Sequence, residues 1–91
     1  MLDGDLVRGV GAQTDQAMAN LTEVLASEGA GLADIVKTTI FLADIDHYAE
    51  VDEHYAAFFT EPAPARSAVA VAALPRLALV EIEAWALAPD A

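Results

Sequence analysis

The sequence predicts an α+β domain, with helices packed on one face of a mixed sheet in the order α-β-α-β-β. Three observations carry this. Two stretches space their apolar residues like helices. Three others are rich in β-branched or alternating residues, as strands are. Gly and Pro clusters punctuate the boundaries between them.

The opening "LDGDLVRGVGA" has turn residues at both ends and reads as a loop or the tail of a strand. From Gln13 to Ser27, Ala17, Met18, Leu21, Val24 and Leu25 recur at helical spacing. "SEGAG" stops that helix, with Gly29 at its C-terminal cap. "DIVKTTIFLADI" alternates Ile35, Lys37, Thr39 and Phe41 with Val36, Thr38, Ile40 and Leu42, and reads as a strand ending near Asp44. Asp46 is the expected N-cap of a second helix running to Thr60, whose stripe is Tyr48, Val51, Tyr55, Phe58 and Phe59. "EPAPA" breaks it. "RSAVAVAAL" and "LALVEIEAWAL" are then expected as two strands around a turn at Pro75–Arg76. In the second, Leu79, Glu81, Glu83 and Trp85 share one face, and Val80, Ile82, Ala84 and Ala86 the other.

Ninety-one residues make one small domain, residues 1–91, and 56% of them are hydrophobic. So small a chain has proportionally more surface to cover, so an apolar excess points to contact with another chain. A net charge of −11, with four basic residues, repels phosphate backbones and anionic membrane surfaces, so neither nucleic acid nor membrane is an expected partner. The chain has no cysteine, which excludes disulfides and thiolate chemistry and leans towards the cytoplasm. No signal peptide is evident in "MLDGDLVRGV".

Arg66 is the first candidate for function. An arginine heading an apolar strand either binds an anion with its planar fork or reaches water at the strand end. Glu81 and Glu83, two apart, point the same way; they are a pair for acid–base work or the outward face of a half-exposed sheet. With a hairpin at Pro75–Arg76, Arg66 stands opposite Trp85 and Glu81 opposite Ala70, leaving the two groups about 13 Å apart at about 3.3 Å per residue. They would then converge only across a subunit interface. Asp52 falls on the apolar side of the second helix and needs a partner or an edge position in contact with solvent. His47, Glu50 and His54 lack the spacing of a helical metal motif, and a polar helix face is expected there instead.

"DIVKTTIFLADI", "YAAFF", "PARSAV" and "LVEIEAWA", in this order, resemble the C-terminal two-thirds of the YjgF/RidA family, from about Asp3 to Leu87. The resemblance implies a chorismate-mutase-like α+β fold and a homotrimer with clefts between subunits. It implies hydrolysis of 2-imino or enamino acids to 2-keto acids and ammonia, with no metal or organic cofactor. The family arginine falls on Arg66, which would hold the carboxylate of a small metabolite. The family glutamate falls on Glu81, which would position or activate water. Ala68 stands where deaminating members often have cysteine, and Asp52 where asparagine is frequent; both would border the substrate. Two family strands with "GPYSQ"-like and "SGQ"-like stretches are not among these residues, so the domain is expected to be shorter at its N-terminus than the family's. A non-catalytic trimer binding small carboxylates is the alternative. Ribonuclease activity, a third reading attached to the family, conflicts with the charge.

Overall fold

The computed structural model describes residues 9–60 and 64–87. The opening stretch is described only from Gly9, and of "EPAPA" residues 61–63 lie outside the described residues. Helix α1 runs Val10–Ser27, beginning three residues before the sequence suggests. Gly9, at φ 82°, starts it, and Gln13 N donates to Gly9 O at 3.0 Å. The Gly-Val-Gly stretch is poor helix material, but Val10 is buried in the core and offsets that deficit. Gly29 sits at φ 77° and ends the helix as expected. Its N–H bonds Ala26 O, and Ala30 N–H reaches back to Leu25 O, which together satisfy carbonyls that the helix leaves open.

Strand β1 (Ile35–Leu42) follows, and then helix α2 (Tyr48–Ala56). The cap differs from expectation. Asp44, not Asp46, accepts a backbone hydrogen bond, from Asp46 N at 2.9 Å, and a single 3-10 turn over Ile45–His47 leads into α2. An Asx turn two residues upstream uses the same side-chain chemistry as an N-cap, so either aspartate fits the sequence pattern. The α-helix also stops at Ala56 rather than Thr60. Phe58 and Phe59 continue it only as tighter turns, bonding Tyr55 O and Ala56 O.

Strands β2 (Ala65–Ala70) and β3 (Val80–Ala86) do not form a hairpin. The order is β2-β1-β3, with β2 parallel and β3 antiparallel to β1. The chain between them straddles the end of β1: Val71 N bonds Leu42 O, and Ala43 N bonds Leu79 O. Residues Pro75–Leu77 turn it, with Arg76 and Leu77 both left-handed at φ 59° and 57°. Alternation tells which face a residue occupies but not which strand lies beside it, and there the expectation failed.

Both helices cover one sheet face. Met18, Ile40, Leu42, Val51 and Tyr55 are fully buried there, with Val10 and Val80 closing the cluster. Each such side chain stabilises the fold by about 1.5–3 kcal/mol.

Candidate functional site

Arg66 lies on edge strand β2, in register with Thr38 of β1 and, beyond it, Ala84 of β3. Paired residues share a sheet face, so Arg66 projects to the helix side. There α2 presents Tyr48, Asp52 and Tyr55, spaced four and three residues apart and hence on one stripe. Nη2 of Arg66 donates to Tyr48 Oη at 3.1 Å and forms an ion pair with Oδ1 of Asp52. That oxygen is buried and has no well-aligned hydrogen bond, so the ion pair is its compensation. The guanidinium carbon stands 5.4 Å from the Tyr55 ring centre and 6.0 Å from that of Tyr48, within cation–π range. Beneath, Tyr55 Oη and Thr38 Oγ1 share a buried hydrogen bond of 2.6 Å.

The electrostatics follow from these contacts. Partial burial works to lower the pKa of Arg66. The Tyr48 hydrogen bond and the Asp52 charge outweigh it, so the pKa is raised and the guanidinium stays charged. Burial raises the Tyr55 hydroxyl, against the opposing effects of the Thr38 bond and the Arg66 charge. Among the described residues, the polar contacts of Arg66 all use Nη2, which leaves Nη1 and Nε free to donate. The side chains of Arg66 and Asp52 remain 28% and 33% exposed, so both are accessible to solvent.

The residues singled out from the sequence fall in different places. Asp52 has its partner, and it is Arg66. Ala68 is on the same face as Arg66, opposite Ile40, and packs against the core. Glu81 is exposed and pairs with Phe41 and, across β1, Val69, so it lies on the other face of the sheet. It is three residues along and two strands across from Arg66, about 14 Å by strand rise and spacing. The two groups do not meet within one chain. A groove of about 360 Å³ between α1 and β3, bordered by Ala17, Leu21, Val80 and Ile82, takes in Glu81 but not Arg66.

His54 Nδ1 pairs with Asp15 of α1 at 2.9 Å, and that hydrogen bond raises its pKa. A Cβ at Gly11 would lie 2.6 Å from His54 Nε2 and 2.8 Å from Glu50 Oε2, so a larger residue there would have to displace the ends of these two side chains. Among the described residues no group of three or more His, Asp or Glu is arranged to hold a metal. Sequence reading missed Tyr48, Tyr55 and Thr38 as site residues. The available signal was Tyr-x3-Asp-x2-Tyr on a helix before a strand holding an isolated arginine.

Fold and site together define an α+β protein with an arginine held against two tyrosines and an aspartate at a sheet edge, a candidate anion site. A family model described as Endoribonuclease L-PSP matches residues 2–88, and the chain belongs to that family, also called YjgF/RidA. It is 49% identical over 71 residues to the chloroplastic Reactive Intermediate Deaminase A of Arabidopsis thaliana, covering 78% of this chain and 38% of that protein. It is 45% identical over 85 residues to the 2-iminobutanoate/2-iminopropanoate deaminase of Rattus norvegicus, covering 92% of this chain and 62% of that one. The crystal structure of the YjgF gene product from E. coli superposes with a TM-score of 0.87 at 43% identity, over 93% of this chain and 69% of that one. The chain thus spans less than two-thirds of the length of either named deaminase. Among the described residues no helix is long and apolar enough to cross a membrane.

Proposed function

We propose that this chain acts as an oligomer, a trimer by family resemblance, that hydrolyses reactive 2-imino and enamino acids in the cytoplasm without a metal or organic cofactor. The observation that carries the reading is the half-used guanidinium of Arg66, set over two tyrosines with Nη1 and Nε free among the described residues. A planar fork with two free donors suits a carboxylate. Water adds to the C=N carbon, the C–N bond of the resulting carbinolamine breaks, and nitrogen leaves as ammonia. Glu81 orients that water, but from a second subunit, because its own chain holds it on the opposite face. The apolar residues of the bare face, Phe41, Val69 and Trp85, support such an assembly. Cleavage of RNA, the activity in the family's description, would bring a polyanion to a chain of net charge −11.

The test is ammonia release from freshly generated 2-iminopropanoate. The parent should exceed the buffer rate, and Arg66→Lys, which keeps charge but loses the fork, should lose at least about tenfold in kcat/KM. Equal rates in the two proteins would sink the assignment of Arg66. A second reading, a non-catalytic module binding small carboxylates, is favoured by the Asp52 partner that Arg66 already has. It predicts carboxylate binding with no ammonia release above buffer.

A further inference from the structure

The Arg66–Asp52 pair points to a ligand of particular charge pattern. Resting on the anion-site reading above, we infer that the site selects carboxylates bearing a cationic nitrogen on the adjacent carbon, and that Asp52 is the residue that selects them.

The argument starts from geometry. Asp52 Oδ1 is buried against Arg66, yet the Asp52 side chain is one-third exposed, so its second oxygen faces outward. The Arg66 side chain is 28% exposed, and among the described residues its polar contacts engage Nη2 and not Nη1 or Nε. The surface therefore presents a positive edge and a negative edge side by side. A bare 2-keto acid satisfies the first and repels the second. A protonated 2-imino acid carries its carboxylate and its cationic nitrogen on adjacent carbons. Laid antiparallel to the protein's own ion pair, it satisfies both edges, carboxylate on Arg66 and nitrogen on Asp52. Asparagine at this position would offer a neutral amide and no such preference.

The same contrast discriminates substrate from product. Hydrolysis converts the iminium, with one water, into a 2-keto acid and an ammonium ion. The charge that Asp52 holds leaves with the nitrogen, and what remains is an anion beside a carboxylate. Binding therefore weakens at the moment of turnover, which favours release of product.

The test uses a near-isosteric pair, 2-aminobutanoate as a stable stand-in for the protonated imine and 2-oxobutanoate as the product type. Affinities are measured by calorimetry on the full chain at neutral pH. The amino acid should bind the parent at least about tenfold more tightly, a margin typical of one charge-assisted hydrogen bond. Asp52→Asn should bring the ratio within about threefold, loosening the amino acid and tightening the keto acid, and 2-oxobutanoate should become the stronger product inhibitor. Arg66→Lys should weaken both ligands. An unchanged ratio in Asp52→Asn, or a parent that prefers the keto acid, overturns the selection by Asp52 and leaves Arg66 as the anion site. Failure of the parent to bind either ligand removes the anion site itself, and this inference with it.

Discussion

The two faces of the sheet differ more than their shared strands suggest. On the helix face Thr38, Ile40 and Leu42 are fully buried, and Arg66 is held by three side chains of α2. One residue out of phase, Thr39 and Phe41 are only half-buried, while Val69 and Trp85 are 42% and 60% exposed. Glu81 and Glu83 stand among them. One face is complete within the chain and carries a candidate anion site. The other is partly exposed and apolar with carboxylates set into it, and it is the face on which the proposed assembly would form. A site needing both Arg66 and Glu81 has to be made by two copies.

The comparison breaks most visibly by mutation in adjacent registers. Ile40→Ala on the packed face should cost about 2–5 kcal/mol, read as a lowered denaturant midpoint. Trp85→Asp on the bare face should leave the isolated fold within about 1 kcal/mol of the parent but dissociate the assembly, read by sedimentation equilibrium. A Trp85→Asp chain that stays assembled would show that the bare face is not the interface.

Smaller in effect, Tyr55→Phe removes the partner of the buried Thr38 hydroxyl and should cost about 1–3 kcal/mol. Adding Thr38→Val should recover part of that loss, because no polar atom is then stranded. If the double variant is no more stable than Tyr55→Phe alone, the hydrogen bond is not what joins α2 to β1.

The smallest effect is a pH dependence at the α1–α2 contact. His54 has its pKa raised first by the hydrogen bond to Asp15, and also by the charges of Asp15, Glu50 and Glu53. A raised folded-state pKa means that the contribution is full below the unfolded value of about 6.5 and fades as pH rises through the folded value. The stability difference between the parent and His54→Gln should therefore shrink from mildly acidic to alkaline pH. A difference that grows with pH would refute the pairing.

Much of this was legible in the sequence. The alternation of β3 put Val80 and Ile82 on one face and Glu81 and Trp85 on the other, as found, but left open which face the helices cover. The helical spacing of α1 and α2 and the Gly29 terminus were readable from local pattern in the same way, but Val24 of the α1 stripe is 62% exposed and Phe58 and Phe59 lie past the end of α2. Neighbours were not. "ARSAVA" has small residues on both sides, so nothing local fixes the phase or partner of β2. The hairpin expectation therefore put Arg66 opposite Trp85, when it aligns with Thr38 and Ala84. The cluster of Tyr48, Asp52 and Tyr55 around Arg66 depends on that phase, and for this reason it was invisible until β2 was placed beside β1.

The central position of β1 also sets a timetable. Both of its partners come later in the chain: Lys37 waits for Ala65 on one side and for Trp85 on the other. Residues 9–60 hold both helices and a single strand, so nothing in them makes a sheet. On a ribosome adding about 5–20 residues per second, the most apolar strand of the protein is exposed for seconds before its first ladder can form. In that interval α1 and α2 are the elements available to lie across one side of β1, the side on which they bury Ile40 and Leu42 in the finished fold. β3 is the last strand to be synthesised, and its pairing places Val80 in the core with Ile82 packed against it.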